Sequence, residues 1–183
     1  SIHLAQVDLM KEQPTAEVVD DCVFRHDGLD FVANIAGGYL GDVDVSDMTS
    51  QQWDFMQDLN VRTTRNVCRA AVPSMRARAF GKIVNVSARA GLTGAKGLSA
   101  YAVAKAGVRV LTESLAAEVH DGGINVNAIM PSIIDTEANR RSMPKADRSR
   151  WVTPDDIARV VLFLMSEDAR AINGAAIPVY GRA

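Results

Sequence analysis

At 183 residues, 48% hydrophobic and 23% charged, the chain can bury one sizeable core and reads as a single domain. Its formal net charge of −2 gives no reason to expect nucleic acid, and no apolar stretch reaches the length that spans a bilayer. The opening Ser1-Ile2-His3-Leu4 lacks a secretory signal pattern, so a cytoplasmic protein without membrane attachment is expected.

Strand-like apolar runs alternate with helical patterns along the chain. A strand is expected at Ile2–Leu9, a helix at Thr15–Arg25 and a second strand at Leu29–Ile35. A long helix follows over Ser50–Arg78, opened by a capping-box pattern in which Thr49 stands three residues before Gln52. Pro73 is expected to kink or end it, while Pro14, Pro131 and Pro144 punctuate loops. Next come a strand at Lys82–Ser87, a helix at Ala100–Val119 and a strand at Ile124–Ile129. The last helix, Pro154–Ser166, has a Thr153 cap, a first-turn Pro and two favourable carboxylates, and Ala175–Val179 is the final strand. This order predicts an α/β fold with a parallel sheet covered by helices, without repeats or an interdomain linker.

The chemistry concentrates in Tyr101-Ala-Val-Ala-Lys105, which sets a phenol and an ammonium one helical turn apart on one face. A cation there favours the tyrosinate and is expected to lower the pKa of Tyr101, making it an acid–base group near neutral pH. Taken alone, the pair reads first as a half-buried helix aromatic beside a solvated charge. Cys22 and Cys68 lack metal-ligand spacing and a disulfide framework, and read as small apolar residues. His3, His26 and His120 have no partner spacing that suggests a metal or a nucleophilic triad. Arg140, Arg141, Lys145, Arg148 and Arg150 read first as a solvated loop and second as an attractor of an anionic substrate or cofactor phosphate.

Context gives the Tyr/Lys pair its meaning. Asn34-Ile35-Ala36-Gly37 closes an apolar strand, Asn60-Val61 lies in the long helical pattern, and Pro131 to Thr136 follows another strand. Together these residues resemble the short-chain dehydrogenase/reductase family, in the family's order, from about Val7 to Gly181. The resemblance implies a Rossmann-like doubly wound sheet, NAD(H) or NADP(H) as cofactor and a small-molecule substrate. It makes Tyr101 the general acid–base residue, Lys105 its partner and ribose ligand, and Asn60 a support for a water-mediated proton path to the lysine. It places Asp8 near the adenine, Asn34, Ala36 and Gly37 beneath the adenosine ribose, and Ile134 and Thr136 on the nicotinamide side. It also implies a homodimer or homotetramer built through the long helices and the last strand.

Two departures qualify that picture. The family's opening strand, Gly-rich turn and helix, which hold the pyrophosphate, have no counterpart here, since Gly37-Gly38 follows the wrong strand. The chain is therefore expected to be an N-terminally incomplete domain lacking the first two strands, with residues 2–9 left without strand neighbours. The family also expects a serine thirteen positions before the tyrosine to polarise a substrate carbonyl, and Ala88 stands there. Ser87 is one residue early, on the opposite side of an extended segment, and the match of Gly91 to a small-residue position argues against a register shift. Ser87-Ala-Arg-Ala-Gly-Leu92 and the run from Asp135 to Trp151 are similar to quinonoid dihydropteridine reductases, whose electron-poor substrate needs no such serine. Two functions are thus expected: reduction of a small carbonyl or quinonoid substrate, pterin-like compounds among them, or an impaired relative acting as an oligomeric binding protein.

Overall fold

A computed structural model describes residues 2–182. Four strands, β1 (Phe31–Asn34), β2 (Gly81–Val86), β3 (Ile124–Pro131) and β4 (Ala176–Val179), form one parallel sheet in chain order. Phe31 stands beside Lys82, Ile83 beside Val126 and Ile129 beside Ile177. β2 and β3 are buried along nearly their whole length because helices cover both of their faces.

The alternation of side chains along β2 feeds two cores. Ile83 packs with Val126, Val32, Met75, Val19 and Ala116 beneath α1 (Glu12–His26), α3 (Thr63–Arg78) and α4 (Ser99–Glu118). Val84 points the other way, joining Ile129, Val179, Val161 and Leu164 beneath α6 (Pro154–Met165). Single-residue steps along one strand thereby hold helices on opposite faces.

The capping signals appear as bonds. Thr49 Oγ1 accepts from the Gln52 amide at 3.2 Å while Gln52 Oε1 accepts from the Thr49 amide at 2.9 Å, opening α2 (Ser50–Gln57). Thr153 Oγ1 accepts from the Asp156 amide at 3.1 Å ahead of Pro154.

The structure corrects four expectations. Residues 2–8 form no strand, and Ile2 and Leu4 are 91% and 95% exposed, because no described strand lies beside them to pair their backbone groups. The long helix is broken into α2, a π-helical turn at Asp58–Arg62 and α3. Of the two roles expected of Pro73, to kink or to end its helix, the second does not hold, since α3 runs on to Arg78. The segment carrying Arg140 and Arg141, read as a solvated loop, contains α5 (Glu137–Ser142), opened by the Thr136 hydroxyl, which accepts from the Asn139 amide at 3.3 Å. No described helix is long and apolar enough to cross a membrane.

Candidate active site

Gly37, Asn60, Lys105 and Tyr101 gather near the C-terminal ends of β1 and β2, the end of a parallel sheet where ligands are commonly held. Asn60 sits in the π-helical turn, a distortion that re-aims its side chain inward. Its amide donates to the Met56 and Gly38 carbonyls at 3.0 and 3.2 Å, and its oxygen accepts from the Gly38 amide at 3.2 Å. This two-way clamp pins the loop that follows β1.

Lys105 comes up from the second turn of α4 and is 6% exposed. Its ammonium donates to the Val86 carbonyl at 2.9 Å and stands 5.9 Å from the centre of the Tyr101 ring. The Cα of Gly37 closes the space between Asn60 and Lys105. A methyl group there would come within 2.8 Å of Asn60 Oδ1 and 3.2 Å of Lys105 Nζ, so only glycine fits without displacing one of them.

Burial dominates the electrostatics. It pushes Lys105 down to about 8 and Tyr101 up to about 12, with Tyr39 adding to the latter. The expected lowering of Tyr101 is therefore overturned: desolvation of the phenolate outweighs the cation across this distance.

Ser87 is 2% exposed, and its hydroxyl donates to the Lys105 carbonyl at 2.7 Å. That bond turns it onto α4, so it holds the helix carrying Tyr101 and Lys105. Ala88 adjoins it in extended backbone and brings no hydrogen-bonding side chain. Gly91 lets the following turn approach α4, since a methyl group there would lie 2.8 Å from the Lys105 carbonyl carbon.

The remaining predicted residues are more dispersed. Asn34 and Ala36 line a groove of about 220 Å³ with Leu9, Thr63 and Thr64. The Asn34 amide donates inward to Asn85 Oδ1 at 2.8 Å, leaving its backbone to face the groove. Asp8 is exposed beside Leu9, and its carboxylate accepts from the Met10 amide at 3.0 Å. Ile134 forms a parallel bridge with Val152, and Thr136 serves as the α5 cap. Cys68 is buried and pushed up to about 12, which keeps its thiol inert. Arg140 is committed to Asp135 through contacts of 2.6 and 2.8 Å, and Arg141 to Glu137.

Sequence reasoning missed Tyr39. Its ring meets Tyr101 edge-on with centroids 5.0 Å apart, yet Tyr39 remains 63% exposed. The available signal was an aromatic directly after Gly37-Gly38, at the loop clamped by Asn60.

Residues 1–181 match a family model described as enoyl-(acyl carrier protein) reductase. Cyclopentanol dehydrogenase of Comamonas sp. (strain NCIMB 9872) is 32% identical over 189 residues, covering 98% of this chain and 75% of that protein. The 3-oxoacyl-[acyl-carrier-protein] reductase FabG of Thermotoga maritima is 32% identical over 173 residues, covering 90% and 70%. Among solved structures, ElxO with NADP bound superimposes with a TM-score of 0.93 at 27% identity, over 98% of this chain and 77% of that one.

Proposed function

The chain belongs to the short-chain dehydrogenase/reductase family, and from that premise we propose that it is a nicotinamide-dependent oxidoreductase acting on a small planar carbonyl or quinonoid substrate, with Tyr101 as its acid. The observation that carries the reading is Lys105, a nearly buried ammonium with three donors and one hydrogen-bonded partner, Val86 O, beside the only phenol in its reach on α4.

The residues present fit the nicotinamide half of such a cofactor. Lys105 has N–H groups left for ribose hydroxyls, and the bare Cα of Gly37 leaves room beside them. A bound reduced nicotinamide supplies the hydride. Tyr101, protonated throughout the neutral range because its pKa lies near 12, delivers its Oη proton to the substrate oxygen or nitrogen as negative charge develops there. Lys105 then stabilises the phenolate that Tyr101 leaves behind. Asn60 and Ser87 orient the two working residues by holding the Gly38 loop and the start of α4. NADP is the cofactor carried by the ElxO structure and a reasonable first choice for assay.

Ala88 and Tyr39 support the choice of substrate. Without a hydroxyl at position 88, an isolated ketone loses a polarising donor, an effect on the order of a hundredfold in rate. An electron-poor ring such as a quinonoid dihydropterin accepts hydride without that help, and the exposed Tyr39 ring offers it a face beside Tyr101.

The test is NADPH and NADH oxidation with a quinonoid dihydropterin, a cyclic diketone and cyclohexanone. The proposal expects turnover of the first two, at least tenfold slower reaction of cyclohexanone, and loss in Tyr101→Phe. Fastest turnover of cyclohexanone would refute the substrate assignment; no turnover of any would refute the enzyme.

A further inference from the structure

The opposite end of the sheet holds a second buried ammonium. Lys82 is the second residue of β2, four positions before Val86, so it stands about 13 Å from the active-site end at roughly 3.3 Å per residue. Its side chain is 3% exposed, donates to Asn125 Oδ1 at 2.9 Å and lies 3.7 Å from Glu167 Oε1. One hydrogen bond and one longer ion pair do not use the three N–H groups of an ammonium.

A cavity of about 420 Å³ opens beside it, walled by Phe80, Lys82, His120, Asn125, Glu167 and Arg170. The Phe80 ring centre is 6.0 Å from Lys82 Nζ. Arg170 uses its carbonyl to accept from Asn125 Nδ2 at 3.2 Å, while its guanidinium makes no ion pair or hydrogen bond with another described residue. Two cations with donors to spare thus share one cavity with a single carboxylate, and that carboxylate is 72% exposed.

We propose that this cavity is a binding site for a small phosphate monoester, in which Glu167 holds Lys82 until the ligand displaces it. The phosphate matches the donors: its three oxygens take the free N–H groups of Lys82 and the fork of Arg170. A dianion outcompetes a single tethered carboxylate for the two cations. The cavity is far larger than one phosphate, and the Phe80 wall takes the organic tail. The site is remote from Tyr101 and stands independently of the reaction proposed there.

Lys82→Met removes a buried partner and can unfold the chain, so the test uses the exposed positions Arg170 and Glu167. Backbone amide chemical shifts of the chain are followed against phenyl phosphate, with inorganic phosphate and benzoate titrated separately. Saturable shifts at Lys82, Asn125 and Arg170 are expected with phenyl phosphate. Binding should weaken about tenfold in Arg170→Gln, the loss of one charge-assisted pair, and tighten in Glu167→Gln. Benzoate binding as tightly would overturn the phosphate assignment, and inorganic phosphate binding as tightly would overturn the role of the organic tail. Shifts centred on residues 140–150, or affinities unchanged in both variants, would overturn the site.

Discussion

Tyr101 and Lys105 are displaced from their ordinary ionisation in opposite directions by the same cause, burial. Each consequence can be measured. Tyr101→Phe keeps the ring and removes the proton, so turnover should fall a hundredfold or more while nicotinamide affinity changes little. Lys105→Met should abolish turnover yet raise stability at pH 7 by on the order of 3 kcal/mol, because a charge held in a dry site at about 8 rather than 10.5 costs that much. The sign with pH follows from proton counting. Between about 8 and 10.5 the unfolded chain holds the proton and the native chain does not, so native stability climbs as pH rises through that window. Urea unfolding at pH 7 and pH 10.5 should show the climb in the parent and its absence in Lys105→Met. Turnover in the parent should decline as pH rises through about 8, where the ammonium is lost.

At the scale of elements, the site depends on how closely the turn after β2 sits on α4. Gly91→Ala would drive a methyl group into the Lys105 and Ala106 backbone at 2.8 and 2.9 Å, which cannot rotate away. The turn and helix must separate, with an expected loss of about 1–3 kcal/mol in thermal or urea unfolding and a fall in turnover as Lys105 moves. The helical regions apart from α5, four of the five predicted strands and the Tyr101–Lys105 spacing were legible because they rest on local periodicity, caps and a fixed helical turn. The π-helical turn at Asn60 was not, since it is imposed by the reciprocal bonds to Gly38, a residue twenty-two positions away. The pKa of Tyr101 was misjudged because spacing reports the cation but not the depth of burial. Tyr39 was missed because its contact with Tyr101 exists only after the loop following β1 is brought against α4. Residues 2–9 were read as a strand from their pattern and form none, because a strand also needs a neighbour.

Across the whole molecule, large apolar side chains stay exposed on several helices: Phe24 on α1, Leu162 and Phe163 on α6, and a set on α2 and α4. Val103 and Val110, two turns apart on α4, are 47% and 48% exposed, and Phe55 on α2 is 50% exposed. We propose that this face joins copies of the chain. Val110→Glu should shift sedimentation toward the monomer with the helical signal retained; an unchanged sedimentation profile would place any contact elsewhere. Every role given to Tyr101 and Lys105 requires that a nicotinamide bind beside them at the end of β2. The most direct measurement is titration of the chain with NADPH, followed by nicotinamide fluorescence, in the parent and in Lys105→Met. Saturable binding in the parent that weakens at least tenfold in the variant is the predicted result, whereas equal binding by both, or none by the parent, would contradict it.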